Sequence, residues 1–177
     1  YGRTRRGIEE IWCRAFRAFR ELNLRLAPAG EPLAALGDGV ESATVHPDEF
    51  CWSWRHGASS ASLRLARTTE GDGFSLSIRA GAGGAIACEL SGSSDLRAFW
   101  PYPAGLSPEL QAASSRQGAV LLLGDPLFGF GASLVSDQRP LRASIADASR
   151  PVLDGDGGAM VRFVREYRVA ADAEFVI

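Results

Sequence analysis

Two hydrophobic periods divide this chain. Over residues 7–26, GIEEIWCRAFRAFRELNLRL, the side chains Ile8, Trp12, Ala15, Phe16, Phe19, Leu22 and Leu26 recur at i, i+4, i+7 and i+8. Glu10, Arg14, Arg17, Glu21 and Arg25 take the other side, and Glu10–Arg14 and Glu21–Arg25 stand in the favourable i,i+4 order. The pattern predicts an amphipathic N-terminal helix. Ala-Pro-Ala-Gly-Glu-Pro (27–32) stops it, and a linker loop runs to residue 39.

From Ser42 the period changes to two. Phe50/Trp52/Trp54/His56, Leu63/Leu65, Phe74/Leu76/Ile78, Ile86/Cys88/Leu90 and Leu96/Ala98/Trp100 alternate, with Gly57–Ser60, Thr69–Gly73, Gly81–Gly84 and Ser91–Ser94 as turns. Strands at this spacing predict an antiparallel meander over 42–100 with one buried face. Ser107-Pro108-Glu109 predicts a short helix over 107–116, because Ser caps and Pro suits the first helical position. Further strands follow over 118–147, including Leu141/Ala143/Ile145. Asp125-Pro126 breaks the most apolar window, and neither half reaches the ~20 residues of a transmembrane helix.

Residues 157–170 fit both periods. Met160, Phe163, Val164, Tyr167 and Ala171 form a helical stripe, whereas Val161, Phe163, Tyr167 and Val169 alternate. Asp154 and Asp156 just ahead favour the helix, since carboxylates complement a helix N-terminus. The expected fold is α+β: a single domain over 1–177, with an antiparallel sheet of seven or more strands. The N-terminal helix and a C-terminal one cover its apolar face.

Composition excludes several chemistries. All 19 basic residues are Arg, so a P-loop lysine, a Schiff-base lysine and a Ser-x-x-Lys dyad are impossible. Three cysteines, Cys13, Cys51 and Cys88, are too few for a disulfide framework and point to a reducing, cytoplasmic setting. The chain begins at Tyr1 and not Met, which leaves an upstream segment open. Residues 1–26 carry seven Arg against three Glu, while the remainder carries twelve Arg against eighteen acids. An acidic body repels phosphate and speaks against nucleic acid.

Candidate sites are sparse. The stretch Phe50-Cys51-Trp52-Ser53-Trp54-Arg55-His56 holds a thiol, an imidazole and two indoles. Cys51 and His56 are five apart, so a regular strand turns them to opposite faces and disfavours a Cys–His pair. Phe50, Trp52, Trp54 and His56 share the other face, either as a core wall or as the lining of a cavity. His46, Cys51 and His56 match no metal-ligand spacing. Asp154-Gly155-Asp156 fails as a calcium loop, because Arg165 stands where a bidentate Glu is required. Gly81-Ala82-Gly83 and Gly129-Phe130-Gly131 do not complete a dinucleotide fingerprint.

Three functional expectations follow. The first is a non-enzymatic binding module for an apolar small molecule or a protein partner, its pocket bordered by Phe50, Trp52, Trp54, His56, Trp100, Phe128 and Phe130. The second is an assembly subunit, with a homodimer among its forms, presenting Arg14, Arg17 and Arg20 to a partner. The third is a cofactor-independent hydrolase or isomerase using His46 or His56 with a carboxylate such as Asp48 or Glu49. No metal or cofactor is expected.

Overall fold

A computed structural model describes residues 3–4, 7–8, 11–13, 16–68, 73–94, 97–98, 111–114, 121–125, 130–149 and 159–177, with side chains for 18–68, 73–94, 133–145 and 161–177. Short strands open the chain: β1 (Arg3–Thr4), β2 (Gly7–Ile8), β3 (Ile11–Cys13) and β4 (Phe16–Phe19). Then come β5 (Glu21–Pro28), β6 (Ala34–Ala35), β7 (Val40–Val45), β8 (Glu49–His56), β9 (Ser59–Arg67), β10 (Phe74–Ala80) and β11 (Ile86–Ser94). After them lie β12 (Arg97–Ala98), β13 (Gln111–Ser114), β14 (Leu121–Asp125), β15 (Phe130–Ser136), β16 (Arg142–Ser149), β17 (Ala159–Val169) and β18 (Asp172–Val176). One 3₁₀ turn covers Leu36–Asp38, and no α-helix occurs among the described residues.

The strands form two large antiparallel sheets. The first runs β1-β2-β5-β11-β17-β16, with β6 also on β5; the second runs β13-β14-β15-β18-β10-β9-β8-β7. A third, of three strands, runs β12-β4-β3. The chain passes between the large sheets repeatedly, including after β6, after β10, between β15 and β16, and at Ala170–Ala171. Their inner faces share one core: Leu24, Leu26, Cys88, Leu90 and Phe163 on one side, Leu63, Leu65, Leu76 and Ile78 on the other. Tyr167 of β17 meets Phe175 of β18 edge-on, centroids 4.8 Å apart, and so ties the two sheets together. The architecture is a β-sandwich.

This overturns the α+β expectation, and particular residues show why. The stripe over 7–26 contained Leu22 and Leu26, which suit a helix and a strand equally. Leu24 decides between them: it lies off the helical stripe, but in β5 it is the buried middle of Leu22-Leu24-Leu26, with Glu21 and Arg25 exposed. That face docks on β11, where Leu24 opposes Leu90 and Leu26 opposes Cys88. No N-terminal helix occurs among the described residues.

The C-terminal helix is likewise a strand. Val161, Phe163, Arg165, Tyr167 and Val169 are all buried on β17, so its true period is two. Arg165, fully buried, occupies an inward position and broke the apolar pattern that would have revealed it. Burial holds its guanidinium below its ordinary pKa range. In the expected helix 107–116, Gln111–Ser114 are extended and pair with β14, and the remainder lies outside the described residues.

The meander is real for β7 to β10, which pair in succession. It ends there, because β11 joins the other sheet between β5 and β17. Ala34–Ala35 pairs with β5 inside the expected linker. Gly92 sits at the centre of the first sheet, opposite Phe163, where a Cβ would press on that ring and on the Glu21 carbonyl. Among the described residues, no helix is long and apolar enough to cross a membrane.

Candidate functional site

Strict alternation through β8 sorts the opening cluster into two faces. Phe50, Trp52 and Trp54 oppose Leu65, Leu63 and Ala61 of β9 on the inner side. Trp54 is 1% exposed and part of the core; Phe50 and Trp52 are half-buried against it. Phe50 stacks on Trp52 at 6.1 Å and 18°, and Trp54 on His56 at 6.2 Å and 15°. His56 lies exposed beyond the core, with Nε2 3.4 Å from a Glu31 carboxylate oxygen. Cys51 points the other way, opposite Arg64 and Thr44, and its thiol donates to Glu49 Oε1 at 3.8 Å.

The structure therefore brings Phe50, Trp52, Trp54 and His56 together in one row and separates Cys51 from His56. Trp100, Phe128 and Arg14 lie outside the described residues, as do the side chains of Phe130 and Arg17. Arg20 sits at a bend after β4, its N–H donating to the Ser93 carbonyl at 2.9 Å. His46 donates its backbone N–H to the Glu49 carbonyl in the β7–β8 turn. No group of metal-ligating side chains occurs among the described residues.

A different surface carries the polar functionality. On the outer face of the second sheet lies an open trough of about 530 Å³ across β8, β9, β10 and β18. Its walls are the outward residues Cys51, Ser62, Arg64, Ser77, Arg79, Asp172 and Glu174, with Asp137 from the segment after β15. Register builds the pattern. Arg64 faces Ser77 and Ser62 faces Arg79 across β9 and β10, giving a checkerboard of guanidinium and hydroxyl. Ser77 then faces Glu174 and Arg79 faces Asp172 across β10 and β18.

The charges are held in place by one another. Arg79 Nε donates to Asp172 Oδ1 at 2.8 Å, and Arg64 Nε to Glu49 Oε2 at 2.5 Å. The Ser75 hydroxyl donates to Glu174, whose backbone N–H donates to Asp137 Oδ1 at 3.0 Å. Hydrogen bonding from Arg64 holds the Glu49 carboxyl below the usual carboxylate range. Each arginine gives its Nε to a carboxylate, and both side chains are exposed. The six ionic groups comprise two cations and four anions. The trough thus offers donors and acceptors side by side and disfavours an anionic ligand.

Only part of this was visible in the sequence. Ser75, Ser77 and Arg79 alternate outward in a plain strand pattern, and Ser62/Arg64 follow the same rule. Asp172 and Glu174 stand over ninety residues from their β10 partners, and no local signal links them.

No protein-family model matches the chain, and no curated protein matches it. Among solved structures it is similar to a chain named as a kojibiose phosphorylase from the human microbiome, at 9% identity and a TM-score of 0.47. The similarity covers 91% of this chain and 22% of that one, so this chain spans about a fifth of that protein's length. A likeness of that depth assigns no activity.

Proposed function

We propose that this protein is a non-catalytic binding module whose outer trough receives a neutral, polyhydroxylated ligand such as an oligosaccharide. The observation that supports this reading is the checkerboard of Arg64, Ser77, Ser62 and Arg79 bounded by the carboxylates Asp172 and Glu174. Vicinal hydroxyls both donate and accept. They match a surface where arginines and carboxylates stand on neighbouring strands, which run about 4.8 Å apart. A site for phosphate or sulfate would want net positive charge, and the acids outnumber the arginines here. Proton-transfer catalysis wants a carboxyl raised toward neutrality, whereas Glu49 is lowered by Arg64. An open, shallow site with charges already paired suits weak, hydrogen-bonded recognition.

The test is calorimetric titration with a panel of neutral trisaccharides, alongside the corresponding sugar phosphates. Binding of at least one neutral sugar is expected in the range of about 0.1–10 mM, weakened at least tenfold by Arg79→Ala and by Arg64→Ala. Stronger binding of the phosphates, or neutral-sugar binding that both variants leave unchanged, would refute the assignment.

A further inference from the structure

We infer that the ligand of the outer trough is an extended, β-1,4-linked glycan chain lying across the strands, one sugar unit to a strand. This rests on the binding reading above and names the class of its ligand. The floor of the trough is the register row Leu63, Ile78 and Ala173, which presents backbone because those side chains are buried in the core. Two walls rise from the outward residues on either side of that row. Arg64, Ser77 and Glu174 stand along one wall, and Ser62, Arg79 and Asp172 along the other. The trough therefore runs perpendicular to the strands, from β8 through β9 and β10 to β18. Neighbouring strands lie about 4.8 Å apart, so these four carry it over about 14 Å. The strand spacing is close to the length that each pyranose adds to an extended chain.

The two walls differ in a way that selects the linkage. On β9 the arginine stands on the first wall and the serine on the second; on β10 they have changed places. A β-1,4-linked chain has the same symmetry. Each ring is turned over relative to the last, so its vicinal-diol edge and its hydroxymethyl edge exchange sides at every unit. A ring over β9 sets its diol toward Arg64 and its hydroxymethyl group toward Ser62. The next ring, over β10, sets its diol toward Arg79 and its hydroxymethyl group toward Ser77. A guanidinium carries five N–H donors in one plane, of which the paired carboxylate takes the one on Nε, and the planar fork suits two adjacent hydroxyl oxygens.

Over β18 both walls are acidic, and Glu174 and Asp172 accept from hydroxyls on the two edges of a third ring. An α-1,4-linked chain curls and keeps its edges on constant sides. It would bring successive diols to one wall and meet an arginine on β9 but a serine on β10. The unmatched hydroxyls and guanidinium lower its affinity relative to the β-linked isomer of the same composition.

The experiment titrates the full chain calorimetrically with cellotetraose, β-1,4-mannotetraose and maltotetraose, and with shorter and longer members of each series. At least one β-linked tetramer should bind about tenfold or more tighter than maltotetraose. Its affinity should rise with length up to four units, the number of strands crossed, and then level off. The double substitution Ser77→Arg with Arg79→Ser keeps composition and charge but puts both guanidiniums on one wall, and position 77 still faces Glu174. It should abolish the preference for the β linkage, with circular dichroism reporting that the fold is kept; were it not kept, the linkage comparison and the length series decide without it. Equal or tighter binding of maltotetraose, no gain between two and four units, or a β preference that the folded double variant retains overturns the inference and leaves the neutral-sugar reading standing. So does binding of other neutral sugars but of neither β-linked tetramer. Failure of every neutral sugar to bind overturns both.

Discussion

Replacing Trp54 by Ala tests which part of the aromatic row is structural. Trp54 is 1% exposed and lies between Val40 of β7 and Ala61 of β9. Gly39 packs so closely that a Cβ there would collide with the indole. A buried Trp removes about 150–250 Å² from water, which at about 25 cal/mol per Å² amounts to roughly 4–6 kcal/mol as an upper bound. Measured aromatic-to-Ala losses of about 3–5 kcal/mol agree. With a urea dependence of about 2 kcal/mol per molar, the unfolding midpoint should fall by roughly 1.5–2.5 M. Trp52→Ala, from a half-buried position, should cost no more than about half as much. Equilibrium urea unfolding followed by circular dichroism makes the comparison. If Trp52→Ala costs more than Trp54→Ala, or if Trp54→Ala costs under about 1 kcal/mol, the placement of the row against the core is refuted.

Three further outcomes are expected. Gly92→Ala should destabilise by about 1–3 kcal/mol in the same assay, because its Cβ meets the Glu21 carbonyl and the Phe163 ring; a neutral result would contradict that packing. In a Cys13→Ser chain, an aromatic disulfide reagent should label half-buried Cys51 in the native state and Cys88 only after unfolding. Cys88 is buried and burial pushes its thiol far up, so labelling of Cys88 at the Cys51 rate would count against the core. Stability should fall at both ends of the pH scale. Cys88 and Tyr167 keep their protons in the folded state, chiefly through burial, while the unfolded chain begins to release them near pH 8.5 and 10. Their contribution is complete below those values and declines above them, so Tyr167→Phe should remove the component that begins near pH 10. Glu49 has the opposite sign: its pairing with Arg64 contributes above the unfolded value near 4.3 and is lost as pH falls, a slope that Arg64→Leu should flatten.

How much of this was legible follows from the range of each interaction. The strands from Phe50 to Ile78 could be read from the chain because their alternation is local and their partners are sequence neighbours. The faces of Phe50, Cys51 and Trp52 followed from the same rule. Of the three segments read as helices, 7–26 and 157–170 failed for different reasons. In β5, Leu22 and Leu26 satisfy both periods and only Leu24 separates them; in β17, a buried Arg165 disguises a core position as a surface one. Helical stripes also presuppose that the helix has a face to dock on. The inner face of the first sheet is instead completed by β5, β11 and β17 pairing across the whole chain, and only topology shows that. The trough was invisible for the same reason: β18 supplies Asp172 and Glu174 to strands formed a hundred residues earlier.

The charged row on the opposite outer face illustrates how far register alone organises this protein. Arg25, Glu89, Glu166 and Arg142 stand side by side on β5, β11, β17 and β16. Two glutamates face each other at the centre, an unfavourable cross-strand pair, and each is met from outside by an arginine at 3.5 Å. Exposed pairs of this kind contribute little to stability.

The most direct examination of the outer trough is an amide-resolved NMR titration with the neutral sugar that binds best in calorimetry. Progressive shifts confined to Ser62, Arg64, Ser77, Arg79, Asp172 and Glu174, with β17 silent, are the predicted result. Shifts scattered over both sheets, or centred on Phe50 and Trp52 of β8, would contradict it.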